Sequence, residues 1–344
     1  MIKLPSVSIV ILNWNGIAYL EQFLPSVCAS TYPNLDIIIG DNDSKDHSVS
    51  FIKANYPQIR VICNDKNYGF AGGYNRILDK VNSEYFILLN SDVEVEPGWI
   101  EPIILLMEAD KQIAAAQPKI LSKNNKNRFE HAGAAGGFID TLGYPFCRGR
   151  IFDSVEVDKG QYDEVKEIFW ASGAAFFVKK ERWVQVEGLD EDFFAHMEEI
   201  DLCWRLKNIG YKVMYCPDSV VYHVGGGTLS VENPFKTYLN FRNNLIMIQK
   251  NRSFLPASLI IFCRLLLDLI TLIKFLFEGK RKDAWAVHKA HFSFFQNIFK
   301  NAKKSRKIST SQFNSTGLIK TSIVWQYFVL KKKSFKDLKE AFES

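Results

Sequence analysis

What the sequence lacks narrows the field first. Its six cysteines, Cys28, Cys63, Cys147, Cys203, Cys216 and Cys263, form no C-x-x-C pair and no zinc-ligand spacing. That excludes a disulfide framework or a zinc ribbon and reads as buried thiols in a reducing compartment. No G-x-G-x-x-G follows the first apolar run, where Asn13-Trp14-Asn15-Gly16 stands instead, so a nicotinamide-dependent dehydrogenase fits poorly. Between Lys3 and Lys45 there is no basic residue, whereas a nucleotidyltransferase is expected to bring cations to a triphosphate in that first loop. The first apolar run, Val7 to Leu12, is too short for a signal-peptide core, and no internal repeat is visible.

Acids are scarce at one end only. Residues 1–230 carry 22 Lys/Arg against 31 Asp/Glu, and residues 231–344 carry 21 against 7. The net charge of +5 therefore hides an acidic body joined to a basic end, which suits nucleic acid, anionic lipid or plain solvent. At 344 residues, 47% apolar and 14% aromatic, the chain can bury a full core, and general disorder is excluded.

Short apolar runs predict strands at 7–12, 36–40, 59–64 and 85–89, alternating with helices over 17–28, 46–55 and 70–81. Such alternation implies βαβ units and a parallel sheet covered on both faces. Asn13-Trp14-Asn15, Asp41-Asn42-Asp43-Ser44, Asn64-Asp65-Lys66-Asn67 and Asn90-Ser91-Asp92 fall at the strands' C-terminal ends, where open α/β sheets bind ligands. Residues 120–168 read as an irregular excursion. Further strands are expected at 174–178, 212–216 and 220–224, helices at 180–186 and 198–208, and a stop at Gly225-Gly226-Gly227. Beyond 231 the pattern is helical over 235–250, 254–278 and 283–300, with a Ser/Lys-rich break at 301–316.

Several groups carry chemistry. Asp92, just past the apolar run Leu88-Leu89, either holds a hard divalent cation against a diphosphate or caps a helix starting near Pro97. Glu198, Glu199 and Asp201 open a helix; the helix dipole favours acids there and is expected to lower their pKa and keep them ionised. A carboxylate so placed can serve as a general base for an attacking hydroxyl. Gly69, Gly72 and Gly73 form a glycine-rich loop entering a helix, where free N–H groups can meet an anion. Asp41 can hydrogen-bond a nucleoside, His223 can complete a metal site, and Trp170 can stack on a sugar; packing is the alternative for the last two.

In chain order, Val7-Ser8-Ile9-Val10-Ile11-Leu12-Asn13-Trp14-Asn15-Gly16, Asp41-Asn42-Asp43-Ser44, Asn67-Tyr68-Gly69-Phe70-Ala71-Gly72-Gly73, Leu89-Asn90-Ser91-Asp92-Val93, Ser172-Gly173-Ala174-Ala175-Phe176 and Glu198-Glu199-Ile200-Asp201-Leu202 are the telling motifs. Together they resemble the family 2 glycosyltransferases over about residues 5–230, closest to the bacterial rhamnosyltransferase-like branch that builds cell-surface polysaccharides. The resemblance implies a GT-A fold, an α/β Rossmann-like sheet with helices on both faces, followed here by a helical region. It implies an inverting transfer from a nucleotide-diphosphate-sugar to a glycan or lipid-linked glycan, with Mg²⁺ or Mn²⁺. By position, Glu199 matches the base with Glu198 beside it, while Asp92 and His223 match the metal ligands. Asn13, Asn15, Asp41, Asn67, Gly69, Gly72, Gly73, Asn90 and Trp170 are the candidate nucleotide-sugar contacts. Asn90 stands where the first acid of a D-x-D motif is usual, with Glu94 a possible helper, and Glu198-Glu199 replaces a Glu-Asp pair.

The expected division is a catalytic domain at 1–230 and a basic amphipathic region at 231–344. Residues 254–277 are long enough to span a bilayer, yet Arg264, Asp268 and Lys274 interrupt them, each costing about 2.5–3.5 kcal/mol near its centre. With Thr271 these charges share one helical face, the profile of a helix lying in the interface, where Lys280-Arg281-Lys282 and Lys331-Lys332-Lys333 can meet anionic headgroups. The alternative is a helix packed on the catalytic body. A cytoplasmic protein peripheral to the inner face of the plasma membrane is expected, with no nucleic-acid partner. A nucleotidyltransferase and a non-catalytic nucleic-acid-binding or scaffold protein are the competing readings.

Overall fold

The computed structural model describes residues 4–225, 233–305 and 312–338. It opens with β1 (Val7–Asn13), α1 (Ile17–Cys28), β2 (Leu35–Asp41), α2 (Ser48–Asn55), β3 (Arg60–Cys63), α3 (Gly69–Leu78) and β4 (Tyr85–Leu89). β1 pairs in parallel with β2 and β4, and β2 with β3, as runs such as Val7–Leu12 demand when both faces are covered.

The chain continues through β5 (Val93–Val95), α4 (Glu101–Ala109), β6 (Ile113–Ser122) and β7 (Asn125–Phe129). A small second sheet follows, built from β8 (Gly137–Asp140), β9 (Pro145–Cys147), β10 (Arg150–Ile151) and β11 (Ser154–Val155). Next come β12 (Lys166–Ile168), β13 (Ala175–Lys179), α5 (Lys180–Gln185), α6 (Glu198–Asn208) and β14 (Lys212–His223). The main sheet runs β12-β14-β6-β13-β4-β1-β2-β3, with β13 antiparallel to both its neighbours and β14 parallel to β6.

Two expectations change. The two strands read at 212–216 and 220–224 are the single β14, whose register breaks between Cys216 and Val220; Pro217 there has no N–H for the ladder. The segment 120–168 is not irregular. Its strands are short and turn on glycines with positive φ, Gly136, Gly143 and Gly149, so no alternation long enough to read survives.

The remaining elements are α7 (Pro234–Asn251), α8 (Phe254–Phe277), α9 (Arg281–Gln296), α10 (Ile298–Ser305) and β15 (Leu318–Ile319), which pairs in parallel with β8. The chain end returns over the second sheet, where Phe335 packs on Phe138 at 4.7 Å between ring centroids. α8 is turned inside out for a water-facing helix. Arg264 and Asp268 are buried, Arg264 bonded to Asn244 and lying 3.6 Å over the Tyr144 ring, Asp268 accepting from His291 at 3.0 Å. Its apolar side is the exposed one: Leu259 is 61%, Phe262 62% and Ile270 63% exposed. Among the described residues no helix is long and apolar enough to cross a membrane. Gly226 and Gly227, read as part of a stop, lie outside the described residues.

Candidate active site

The C-terminal ends of β1 and β2 are tied together by their own polar residues. Asn13 Nδ2 donates to Asp41 Oδ1 at 3.2 Å and to Ser44 Oγ at 3.1 Å, while Asp41 Oδ2 accepts the Ser44 N–H at 3.0 Å. Asn15, at φ 50°, accepts the Lys45 N–H at 2.7 Å. Asn67 Oδ1 takes the Gly69 N–H at 2.8 Å and Asn42 Nδ2 at 2.9 Å. Asn13 Oδ1 is buried without a hydrogen-bond partner, an acceptor at the edge where ligands of such sheets bind.

The glycine-rich helix start is filled from within. Phe70 N and Ala71 N both donate to Phe194 O, at 2.7 and 3.2 Å, so these N–H groups are not offered to an anion. A Cβ on Gly69 would come 2.5 Å from Phe194, and one on Gly73 2.8 Å from Leu12; Gly72, also buried, has Tyr68 and Arg76 beside it. These glycines let α3 lie close to β1 and to the loop before α6. Trp170 is equally structural in its surroundings. It is 6% exposed, donates from Nε1 to Phe138 O at 2.8 Å, and lies so close to Gly137 that a Cβ there would overlap its ring.

Past β4, Asn90 N donates to Ala174 O at 3.0 Å, holding the Asn90-Ser91-Asp92 turn against β13. Asp92 caps no helix, since α4 begins at Glu101. Glu94, the expected helper, is taken by Lys123 and by Lys126 at 2.6 Å. Asp92 instead meets His223 at the end of β14: Oδ1 and Nε2 are 3.1 Å apart. On the ring's other side Nδ1 lies 3.2 Å from Glu130 Oε2, an ion-pair contact without good hydrogen-bond angles. All three side chains are buried. Burial works against charge on His223, but the hydrogen bond to Asp92 and the negative charges of Asp92 and Glu130 outweigh it and push its pKa up to about 10.

Glu198 and Glu199 begin α6 as expected, but their electrostatics reverse the expectation. Burial raises Glu199 to about 7 against the backbone N–H bonds that would lower it, Gly173 among them, and raises Glu198 as well, helped by the neighbouring Glu199. Loss of solvation outweighs the helix dipole. Oε2 of each, and Nε2 of His196, are buried without a hydrogen-bond partner. The approach is strained: Phe194, His196 and Met197 have φ of 64°, 68° and 74°, at about 1–3 kcal/mol each for residues with a side chain. Nearby cations lack close acids. Among the described residues neither Arg150 nor Lys236 has a carboxylate within salt-bridge reach; Arg150 instead donates to His131 O at 2.7 Å and to Phe152 O at 2.8 Å. Burial, together with the charge of Lys236, pushes His196 down to about 4.

Residues 8–157 match Glycosyl transferase family 2. Over these 150 of its 344 residues the chain is similar to glycosyltransferase family 2. An N-acetylglucosaminyl-diphospho-decaprenol L-rhamnosyltransferase of Mycobacterium tuberculosis is 24% identical over 230 residues, 62% of this glycosyltransferase and 75% of the relative. A low-salt glycan biosynthesis hexosyltransferase of Haloferax volcanii is 22% identical over 251 residues, 71% of this chain and 75% of that one. Among solved structures, GalNAc-T7 with UDP, GalNAc and Mn²⁺ superposes with a TM-score of 0.55 at 16% identity, covering 73% of this chain. This glycosyltransferase spans only 48% of that chain. The mannosyltransferase PcManGT of Pyrobaculum calidifontis, with GDP-Man and Mn²⁺, gives 0.51 at 14%, covering 87% of this chain and 76% of its own. At such identities the likeness shows the fold, GT-A.

Two site features escape a sequence reading of this glycosyltransferase. Glu130 stands in Phe129-Glu130-His131 with no motif around it, and only the meeting of β7's end with β14's end brings it to His223. The other is α7, whose Asn243 reaches the loop before Glu198; Arg242-Asn243-Asn244 reads as an ordinary polar turn of helix.

Proposed function

We propose that this enzyme transfers a sugar from a nucleotide-diphosphate-sugar to a hydroxyl of a lipid-linked glycan, with inversion, in cell-surface glycan synthesis. The observation that carries the reading is Glu199: a half-buried side chain whose Oε2 is closed off from solvent without a partner, and which loss of solvation raises to about 7, is tuned to accept a proton near neutral pH. The acceptor oxygen attacks the anomeric carbon as its proton passes to Glu199. The bond from that carbon to the donor phosphate breaks, and its electron pair leaves on the nucleoside diphosphate. One displacement on one face inverts the centre.

The residues present fit a hard divalent cation, provided Nε2 of His223 gives up the proton that its raised pKa keeps there in the ion's absence. Asp92 Oδ1 and His223 Nε2 are 3.1 Å apart, close to the roughly 3 Å between adjacent donors on an octahedral ion with bonds of about 2.1 Å. Glu130 behind Nδ1 would orient the ring, as carboxylates behind ligating histidines do. Among the described residues no group of three His, Cys, Asp or Glu forms a closed site, so the other positions fall to substrate phosphate and water. Bound there, Mg²⁺ or Mn²⁺ would supply charge to the departing diphosphate. Arg150 and Lys236 would add positive charge beside it.

The lipid-linked acceptor is supported by the mycobacterial relative's name and by α8, whose apolar face is exposed while Arg264 and Asp268 face inward and Lys274 alone of its three charges is exposed. Trp285, Phe292, Phe295 and Phe299 of the following helices add exposed aromatics at 58%, 60%, 49% and 83%. Beside the basic Lys280-Arg281-Lys282, this is the surface expected to rest on an anionic leaflet from the cytoplasmic side. The test is Glu199→Gln. Its loss of nucleoside diphosphate release from a panel of UDP-, dTDP- and GDP-sugars with Mg²⁺ or Mn²⁺ supports the reading. Transfer at the parental rate would remove Glu199 from the role.

A further inference from the structure

The loop before Glu198 holds itself only in part, through the Ala195 N–H donating to Phe193 O at 2.7 Å. Phe194, His196 and Met197 are all in the left-handed region with φ between 64° and 74°, a run that residues bearing Cβ do not choose unaided. Something outside the loop must fix it, and its carbonyls show what. Phe194 O is taken by Phe70 and Ala71 of α3, and Met197 O by the Asp201 N–H of α6. The other three converge on one side chain: Asn243 Nδ2 of α7 lies 2.9 Å from Phe193 O, 2.9 Å from Ala195 O and 2.8 Å from His196 O. Two amide hydrogens serve three acceptors, so at least one is shared. Asn243 is fully buried, and its Oδ1 accepts from Arg242 Nε at 2.9 Å; Arg242 Nη2 adds a bond to Asp192 O at 2.8 Å.

The far end of α7 grips the same segment. Lys250 Nζ meets Asp190 at 2.6 Å and Asp201 at 2.9 Å, and Asn251 Nδ2 meets Asp201 Oδ1 at 2.8 Å. α7 thus holds residues 190–201 at both ends.

We infer that Asn243 is a positioning residue for sugar transfer: by clamping the carbonyls of Phe193, Ala195 and His196 it fixes where Glu198 and Glu199 enter α6. The inference rests on the proposed role of Glu199. It also makes α7 part of the catalytic unit rather than of a separate helical region. Asn243 touches no reacting atom; it acts through the loop. The titratable groups that interact with Glu199 are Glu198 and Cys203 on α6 and Cys147 on β9, with Asp201 acting on Glu198. None is a cation that would hold Glu199 ionised, so its protonation depends on staying buried.

The experiment compares full-length parent, Asn243→Ala and Arg242→Ala for kcat, donor KM and the pH dependence of kcat. Calorimetry with UDP, dTDP and GDP in the presence of Mg²⁺ reports on the intact fold. Asn243→Ala is expected to lose 10-fold or more in kcat with donor KM within about 2-fold, and the acid limb to move downward as water reaches Glu199. Arg242→Ala is expected to show a smaller change of the same kind, and it decides the matter if Asn243→Ala no longer binds nucleotide. A nucleotide-binding Asn243→Ala with parental kcat and acid limb overturns the inference, as does an unshifted limb in Arg242→Ala when only that variant folds. If Glu199→Gln itself transfers sugar normally, the fault lies in the proposed base and not in the clamp.

Discussion

Replacing Glu199 by Gln should make the protein more stable at neutral pH while removing its activity. A carboxyl with an ordinary pKa of 4.5 is held near 7 by burial. Below pH 4.5 both the folded and the unfolded chain keep the proton. Between 4.5 and 7 the unfolded chain releases it and the fold does not, so stability falls as pH rises; above 7 the full loss is in place. From 4.5 to about 7, at about 1.4 kcal/mol per pH unit, the loss amounts to roughly 3–4 kcal/mol. With an unfolding entropy of roughly 2 cal/mol/K per residue, a chain of 344 residues converts this to roughly 5 °C in Tm. Gln keeps the shape and carries no charge, so the variant should melt about 5 °C above the parent at pH 8 and match it at pH 4.5. Scanning calorimetry of both proteins at pH 4.5, 6, 7 and 8 makes the comparison. A Tm difference that does not grow with pH would refute the buried, raised carboxyl and the base assigned to it.

The kcat of the parent should rise through an acid limb near pH 7, since Glu199 must be ionised to accept the proton, and a limb near 4.5 would count against its burial. Glu130→Gln should weaken Mn²⁺ binding 10- to 100-fold by removing the carboxylate behind His223, read by Mn²⁺ electron paramagnetic resonance; unchanged affinity would sever Glu130 from the metal. Leu259→Glu with Phe262→Glu, both on the outward face of α8, should abolish flotation with phosphatidylglycerol vesicles at low salt and leave melting unaltered. Retained flotation would place the membrane contact elsewhere.

The half of the fold that carries the nucleotide edge was legible because its strands are apolar runs closed by Asn and Asp clusters, as at Leu12-Asn13 and Leu89-Asn90. Strands of two to four residues, such as Arg150–Ile151, carry too few positions to show alternation, and so the second sheet stayed hidden. Asp92, His223, Glu198 and Glu199 stand out as polar residues flanking apolar stretches. Glu130 and Asn243 do not, because what matters about them is a contact across 93 residues in one case and about 50 in the other. The direction of the Glu199 pKa is hidden from the sequence for a related reason: the helix dipole is local and readable, while burial is set by everything packed around α6. The glycines of α3 and Trp170 are tightly packed in the structure, and sequence alone does not separate the two roles because ligand contacts and tight packing recruit the same residue types.

The central claim is single-displacement transfer with Glu199 as base. NMR of the anomeric configuration in the product, made by the parent enzyme from its turned-over nucleotide-sugar, tests it most directly. The account predicts a linkage inverted relative to the donor; a retained configuration would contradict it.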